Sequence, residues 1–303
     1  MVASASVLAL TLLLATPQST TPTTTHDREY WRGIVMAKYA VPAGASAFAL
    51  AQELSGLLGS PDPELRDTIA VSILTTWIAE RPAAGLTDEQ ILTLLDQWQA
   101  NLQVGLGETN TDTVLKRSFS ALCLAAIAER DRKTPFLGPQ RYRALLDASI
   151  AYLAAERDLR GFDASKGWIH ATAHTADLLR YLVGNPLFTN EEQPRLLAAI
   201  AERLSSARQV FTQGEQDRLA QVAAALAMRP DFHAAGFNAW ITGLRDAIRD
   251  SWRSGPLTPA GLATAQNDTY FLQALYARMS MNTLTGPAAA SRTAVLNALR
   301  PRQ

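Results

Sequence analysis

Two of the four histidines in this 303-residue chain fall in "GWIHATAHTADLL", residues 167–179. His170 and His174 stand four apart, Asp177 follows three later, and Tyr181 lies one turn beyond. Imidazoles at i and i+4 on a helix can chelate one metal ion, and a carboxylate at i+7 can add an oxygen ligand. The same groups can work without metal, one imidazole as general base and Asp177 fixing its tautomer. A third reading gives the histidines only structural hydrogen bonds to a neighbouring helix. The zinc-protease motif is excluded, because it needs Glu directly after the first histidine and Ala171 stands there. With no cysteine nearby, a metal would need Glu215 or Asp158 to complete its ligands, and no tight metal is expected.

These residues need a helix to present them. Its 165–183 run has Asp163 or Ser165 as candidate caps and Gly184, Asn185 and Pro186 to stop it. Stepping about 100° per residue from Trp168 puts Trp168, Ala171, Thr172, Thr175, Leu178, Leu179, Leu182 and Val183 on one apolar face. By the same arithmetic His170, His174, Asp177 and Tyr181 form a stripe at about 180–240°. The expectation is a helix that packs on one side and offers chemistry on the other.

Apolar residues recur at three and four along the whole chain, and sustained period-two alternation is hard to find. Helical runs cover 63–82, 87–102, 111–130, 139–157, 165–183, 190–208, 215–228, 233–252, 259–279 and 286–299. Asp62 and Pro63 make an N-cap and first-turn pair, and Thr87 with Gln90 has capping-box spacing. Gly- and Pro-bearing breaks such as "VGLGE", "TPFLGP" and "VGNPLF" separate the runs, so sequential antiparallel pairing is the default. The fold class is all-α without a sheet. Ala-Glu-Arg recurs at helix ends in "WIAER", "AIAER", "LAAER" and "AIAER", at uneven intervals. That suits stacked antiparallel helix pairs in a HEAT- or armadillo-like array, with a closed α/α bundle or toroid as the alternative.

Composition narrows the function. Lys plus Arg and Asp plus Glu balance at 28 each, so the basic excess that tracks phosphate backbones is missing, and nucleic acid is not an expected partner. Cys123 sits in the apolar "SALCLAAIAE" and reads as a core side chain. Val7 to Ala15 is a short apolar run of signal-peptide type, too short to span a bilayer, followed by a Thr/Pro/Ser-rich stretch. Residues 1–26 are therefore read as a signal-like or disordered segment, and 27–303 as one helical domain. The expected location is periplasmic or secreted, with cytoplasmic as the alternative, and no transmembrane segment is expected in the mature chain.

Other polar clusters sit at helix ends. "ERDLRGF" carries Asp158, Arg160 and Gly161, which allows a tight turn, and "FTQGEQDRLAQ" sets Glu215 and Arg218 one turn apart. "PELRD" carries Arg66 and Asp67, and "TDTVLKRSFSAL" carries Asp112 and Arg117. Each alone suits a salt-bridged helix end. Together, in an array, they could line one inner surface with the histidines. The ordered segments "SPDPELRD", "GETNTDTVLKRSFSAL", "ERDLRGF…KGWIHATAHTADLL", "FTQGEQDRLA" and "NDTYFLQALY" resemble the bacterial family catalogued as domain of unknown function 2785. The likeness spans about residues 50–280, and the GW-x-HA-x-AH-x-AD segment is its most specific part. It implies a helical module and supplies no reaction.

Three functions compete on these residues. One is a binding protein that holds a small polar or anionic ligand or peptide through Asp158, Arg160, Tyr181, Glu215 and Arg218 beside the histidines. Another is a hydrolase using His170 or His174 as base or metal ligand with Asp177, and the third is an interaction scaffold. No nucleophile elbow, phosphate loop or dinucleotide fingerprint appears, and the residues name no cofactor.

Overall fold

The computed structural model describes residues 25–80, 85–253 and 255–300. The signal-like run lies outside the described residues. The described chain is nearly all helix: α1 (Arg28–Met36), α2 (Ala47–Leu57), α3 (Ser72–Thr75), α4 (Asp88–Asn101), α5 (Thr113–Lys133) and α6 (Gly138–Ala155) come first. A short hairpin, β1 (Phe162–Asp163) and β2 (Gly167–Trp168), precedes α7 (Ala171–Val183). Then follow α8 (Gln193–Ser206), α9 (Glu215–Ala227), α10 (Ala234–Arg253), α11 (Pro259–Ser280) and α12 (Gly286–Leu299). Helix α3 is flanked by π-helical stretches, Glu64–Val71 and Thr76–Glu80. The chain is packed from His26 on, whose Nδ1 lies 2.9 Å from Glu53 Oε2 and whose ring stacks on Tyr30.

Local chemistry set most helix ends where the sequence marked them. The Thr87 hydroxyl accepts from Gln90 N, while the Gln90 side chain accepts from Thr87 N, closing a capping box on α4. Ser46 caps α2 and Thr258 caps α11 through their hydroxyls. Two rows emerge from packing. Helices α5, α7, α9 and α11 pack successively on one another, and α6, α8, α10 and α12 do the same. A single apolar core runs through them from Trp31 to Val295.

Several expectations need correction. The absence of any sheet fails at the β1–β2 hairpin, where Phe162 pairs with Trp168 and Asp163 with Gly167. Strands of two residues are too short to show period-two patterning. The helix expected over 165–183 therefore begins only at Ala171. Asp163 does not cap it: its carboxylate accepts from Ser165 N, the Ser165 hydroxyl and Lys166 N inside the hairpin turn. Nor does α7 have a wet face, since Ala171 through Leu179 are all buried between α5, α6 and α9. Trp168, expected on the packed face, lies on the hairpin and is 38% exposed.

Candidate functional site

The hairpin is held from below by a buried arginine. Arg66, in the first π-helical stretch, donates through Nη2 to the carbonyls of Lys166 and Trp168 and through Nη1 to that of Ser60. Gly167 turns at φ 70°, and a Cβ there would come within 3.0 Å of Pro63 Cβ, so the close approach of hairpin to helix requires glycine. Beyond the hairpin, His170 N donates to Arg160 O and Ile169 N to Gly161 O. His170 then adopts the left-handed conformation, φ 50° and ψ 33°, as the N-cap of α7. A non-glycine residue held there costs about 1–3 kcal/mol, and such strain persists where the surroundings over-determine it.

From that position the ring of His170 stacks on Trp168 at 4.8 Å and meets the ring of His174 edge-on at 5.8 Å. His174 in turn abuts Phe119, and the Arg66 guanidinium lies over the Phe119 ring, 4.4 Å from its centroid. Ser118 sets the His174 tautomer. Its hydroxyl donates to Ile169 O, so only its lone pairs can meet His174 Nδ1 at 2.8 Å. Nδ1 must carry the proton, and Nε2 is the basic nitrogen. The same hydrogen bond disqualifies Ser118 as a nucleophile, because its proton is committed to a carbonyl. Burial pushes His174 down to about 3, with the charges of His170 and Arg218 adding to it. Burial likewise lowers His170 to about 4, Arg218 acting in the same direction. Both rings are neutral at pH 7.

Helix α9 brings the acidic partners. Glu215 Oε1 lies 3.5 Å from His170 Nε2, while Oε2 accepts from Gln213 N. Glu215 opens α9, where the helix dipole favours a carboxylate, yet burial outweighs the backbone hydrogen bonds and raises its pKa. One turn on, Arg218 Nη1 donates to Asp177. Burial also raises Asp177, against the pull of that arginine. Asp177 thus serves Arg218, and the tautomer role expected of it belongs to Ser118. His170 Nε2 is buried with no hydrogen-bond partner among the described residues.

Gly161 is needed for room and not for the tight turn expected of it. A Cβ there would lie 2.3 Å from Gln213 Cγ, 2.7 Å from Gln213 Cβ and 2.9 Å from Glu215 Oε1. Gly161→Ala should therefore displace the start of α9 from the histidines and destabilise the fold by about 1–3 kcal/mol. Urea denaturation reads the loss; an unchanged midpoint would show that the loop yields freely.

The remaining expected residues lie elsewhere. Asp158 and Arg160 pair with each other, Asp158 also accepting from Asn110 N and Arg160 donating to Thr111 O. Both line a cleft formed by the ends of α6 and α8, and Arg160 meets His170 through a backbone hydrogen bond. Tyr181 lies under the Arg180 guanidinium in another cleft that includes Arg132 and Arg278. Asp112 pairs with Lys166 of the hairpin, and Arg117 with the buried Glu156. Ser118 and Phe119 are site residues that sequence reasoning passed over, and Trp168 was assigned to packing alone. Their signal was faint, for a serine and an aromatic inside a helical run read as core.

Among the described residues, no group of three or more His, Cys, Asp or Glu side chains is arranged to hold a metal ion. No helix is long and apolar enough to cross a membrane, again among the described residues. No curated protein and no solved structure matches the chain. One family model does, the protein of unknown function DUF2785, over residues 102–277. That span takes in α5 through most of α11, and with them Ser118, both histidines, Glu215 and Arg218, although "SPDPELRD" falls outside it. Covering more than half of the sequence, the match makes the chain a member of the DUF2785 family.

Proposed function

We propose that the chain is a binding protein whose site lies at the junction of the hairpin, α7 and α9, and that it holds a small polar molecule or peptide. The observation that carries this is the orphaned Nε2 of His170, buried in a strained residue 3.5 Å from a carboxyl that burial raises. A buried polar atom without a partner is rare and calls for one. A ligand hydroxyl or amide can bridge Nε2 and Glu215 Oε1, and Arg218 has donors that Asp177 does not occupy. The two packed rows of helices support an array of stacked antiparallel pairs as the scaffold.

Trp168, stacked on His170 and partly exposed, reports on occupancy. Titrating di- and tripeptides and small polyols should give a saturable change in tryptophan fluorescence. Trp168→Phe should abolish the change, and His170→Ala should weaken binding about tenfold or more. A panel with no saturable response, or a response kept in both variants, would sink this reading. A second reading, acid/base hydrolysis, is favoured by the Nε2 of His174, whose ring meets that of His170, itself 3.5 Å from Glu215. Turnover of a bound peptide, lost in His174→Gln with binding retained, would select it.

A further inference from the structure

The Ala-Glu-Arg helix ends bring a second site together. "LAAER" closes α6 and "AIAER" lies near the end of α8, so Arg157 and Arg203 come to one cleft, joined by Arg160 and Arg208. The cleft measures about 790 Å³, within the range of small-molecule sites. Two carboxylates stand beside it, and both are occupied. Asp158 is held by Arg160, and Glu156 is bound by Nε and Nη2 of Arg117. Arg157, Arg203 and Arg208 have no ion pair among the described residues. Arg203 is buried and donates through Nη2 to the carbonyls of Leu153, Ala154 and Glu156 at the end of α6. Burial lowers it to about 10, the charge of Arg157 adding to this and those of Glu156 and Glu202 opposing it without forming an ion pair.

Two buried polar atoms of residues that line the cleft have no partner among the described residues, Nε of Arg203 and the hydroxyl oxygen of Ser206. Unpaired cations and orphaned donors in one cavity call for an oxyanion, which guanidinium groups take up as a charge-assisted fork. The lining also includes neutral hydrogen-bonding groups of Asn110, Ser205 and Gln209. Among the described residues no aromatic side chain lines the cleft, so they offer no platform on which a nucleobase would stack.

We infer that this cleft binds a small hydroxyl-rich molecule bearing an oxyanion, with Arg157, Arg203 and Arg208 on the anion and the amides and hydroxyls on the polyol. A sugar phosphate and a sugar acid share this chemistry. The site is separate from the one at His170, and its test does not depend on that reading.

Isothermal titration calorimetry on the full chain should use glucose 6-phosphate, glucuronate, glucose and inorganic phosphate as probes. One of the two anionic sugars should bind one-to-one, and the tighter of them identifies the anion. Glucose should give no saturable heat. Arg157 and Arg208 make no side-chain hydrogen bond or ion pair among the described residues, so R157Q/R208Q should fold normally by circular dichroism. It should weaken the anionic sugar about tenfold or more, whereas His170→Ala should leave it unchanged. Failure of both sugars to saturate at millimolar concentration would overturn the proposal, as would undiminished binding in R157Q/R208Q. Inorganic phosphate binding as tightly as glucose 6-phosphate would overturn the polyol half.

Discussion

Glu156→Gln is expected to destabilise the fold by about 3–5 kcal/mol, because it strands a buried arginine. Arg117 is fully buried, with Nε 2.7 Å from Glu156 Oε2 and Nη2 3.0 Å from Oε1. Its Nη1 donates to the carbonyls of Val104 and Gly105 and to the Thr113 hydroxyl. Burial alone would lower the guanidinium, but hydrogen bonding to Glu156 and its charge outweigh it and raise the pKa. Glu156 Oε1 also accepts from the backbone N–H groups of Arg157 and Asp158, so the loss would reach the chain leading to the hairpin. Urea denaturation at neutral pH measures the effect. Asp147→Asn, which breaks the exposed pair with Arg195, is the control and should change little. A Glu156→Gln variant as stable as that control would show that the buried pair is dispensable.

The second large effect is in the pH dependence, and it centres on Asp268. This carboxyl lies in α11, almost wholly buried, with Oδ1 lacking any hydrogen-bond partner among the described residues; burial raises it from 3.8 to about 7. The folded chain therefore binds a proton there that the unfolded chain releases, and this contribution to stability is lost as pH rises from 3.8 towards 7. The histidines have the opposite sign. Lowered from 6.5 to about 4 and about 3, they favour the folded state above 6.5, and that stability is lost as pH falls. Between about pH 5 and 6 two protons are lost on folding and one is gained, so stability should fall by about 1.4 kcal/mol per pH unit on acidification. The raised carboxyls of Asp177 and Glu215 make this slope shallower.

Asp268→Asn should steepen the same slope by about one proton, and at pH 8 should stabilise the chain by about 3–5 kcal/mol, since no buried carboxylate remains to be desolvated. Urea titrations across pH check both. Parallel curves for wild type and Asp268→Asn would show that the carboxyl titrates normally and finds its partner in solution.

How much of this could be read from residues alone depends on the range of the interaction. The helical segments were legible because their signals are local. Thr87 and Gln90 cap α4 across three residues, and Pro63, Gly184 and the Gly/Pro breaks act on their own backbone. The pair His170 and His174 was legible for the same reason, as was the identity of the acidic and basic groups on α9. The hairpin before α7 was not, because it is stabilised by Arg66, about a hundred residues away, and by a glycine that lets Pro63 approach.

The character of the site also came only from tertiary structure. A helical wheel gave α7 an open face, but α9 and α5 cover it, and the resulting burial makes the histidines neutral and raises Asp177 and Glu215. Spacing in the sequence could not show that Asp177 would be claimed by Arg218, that Ser118 would orient His174, or that Asp158 and Arg160 would turn to another cleft. The sequence by itself determined where helices start and stop and which chemistry lies along them, since propensity and capping act within a turn. Pairing and desolvation were decided by the tertiary structure alone, because each depends on which distant side chain closes over a group and how much water it excludes.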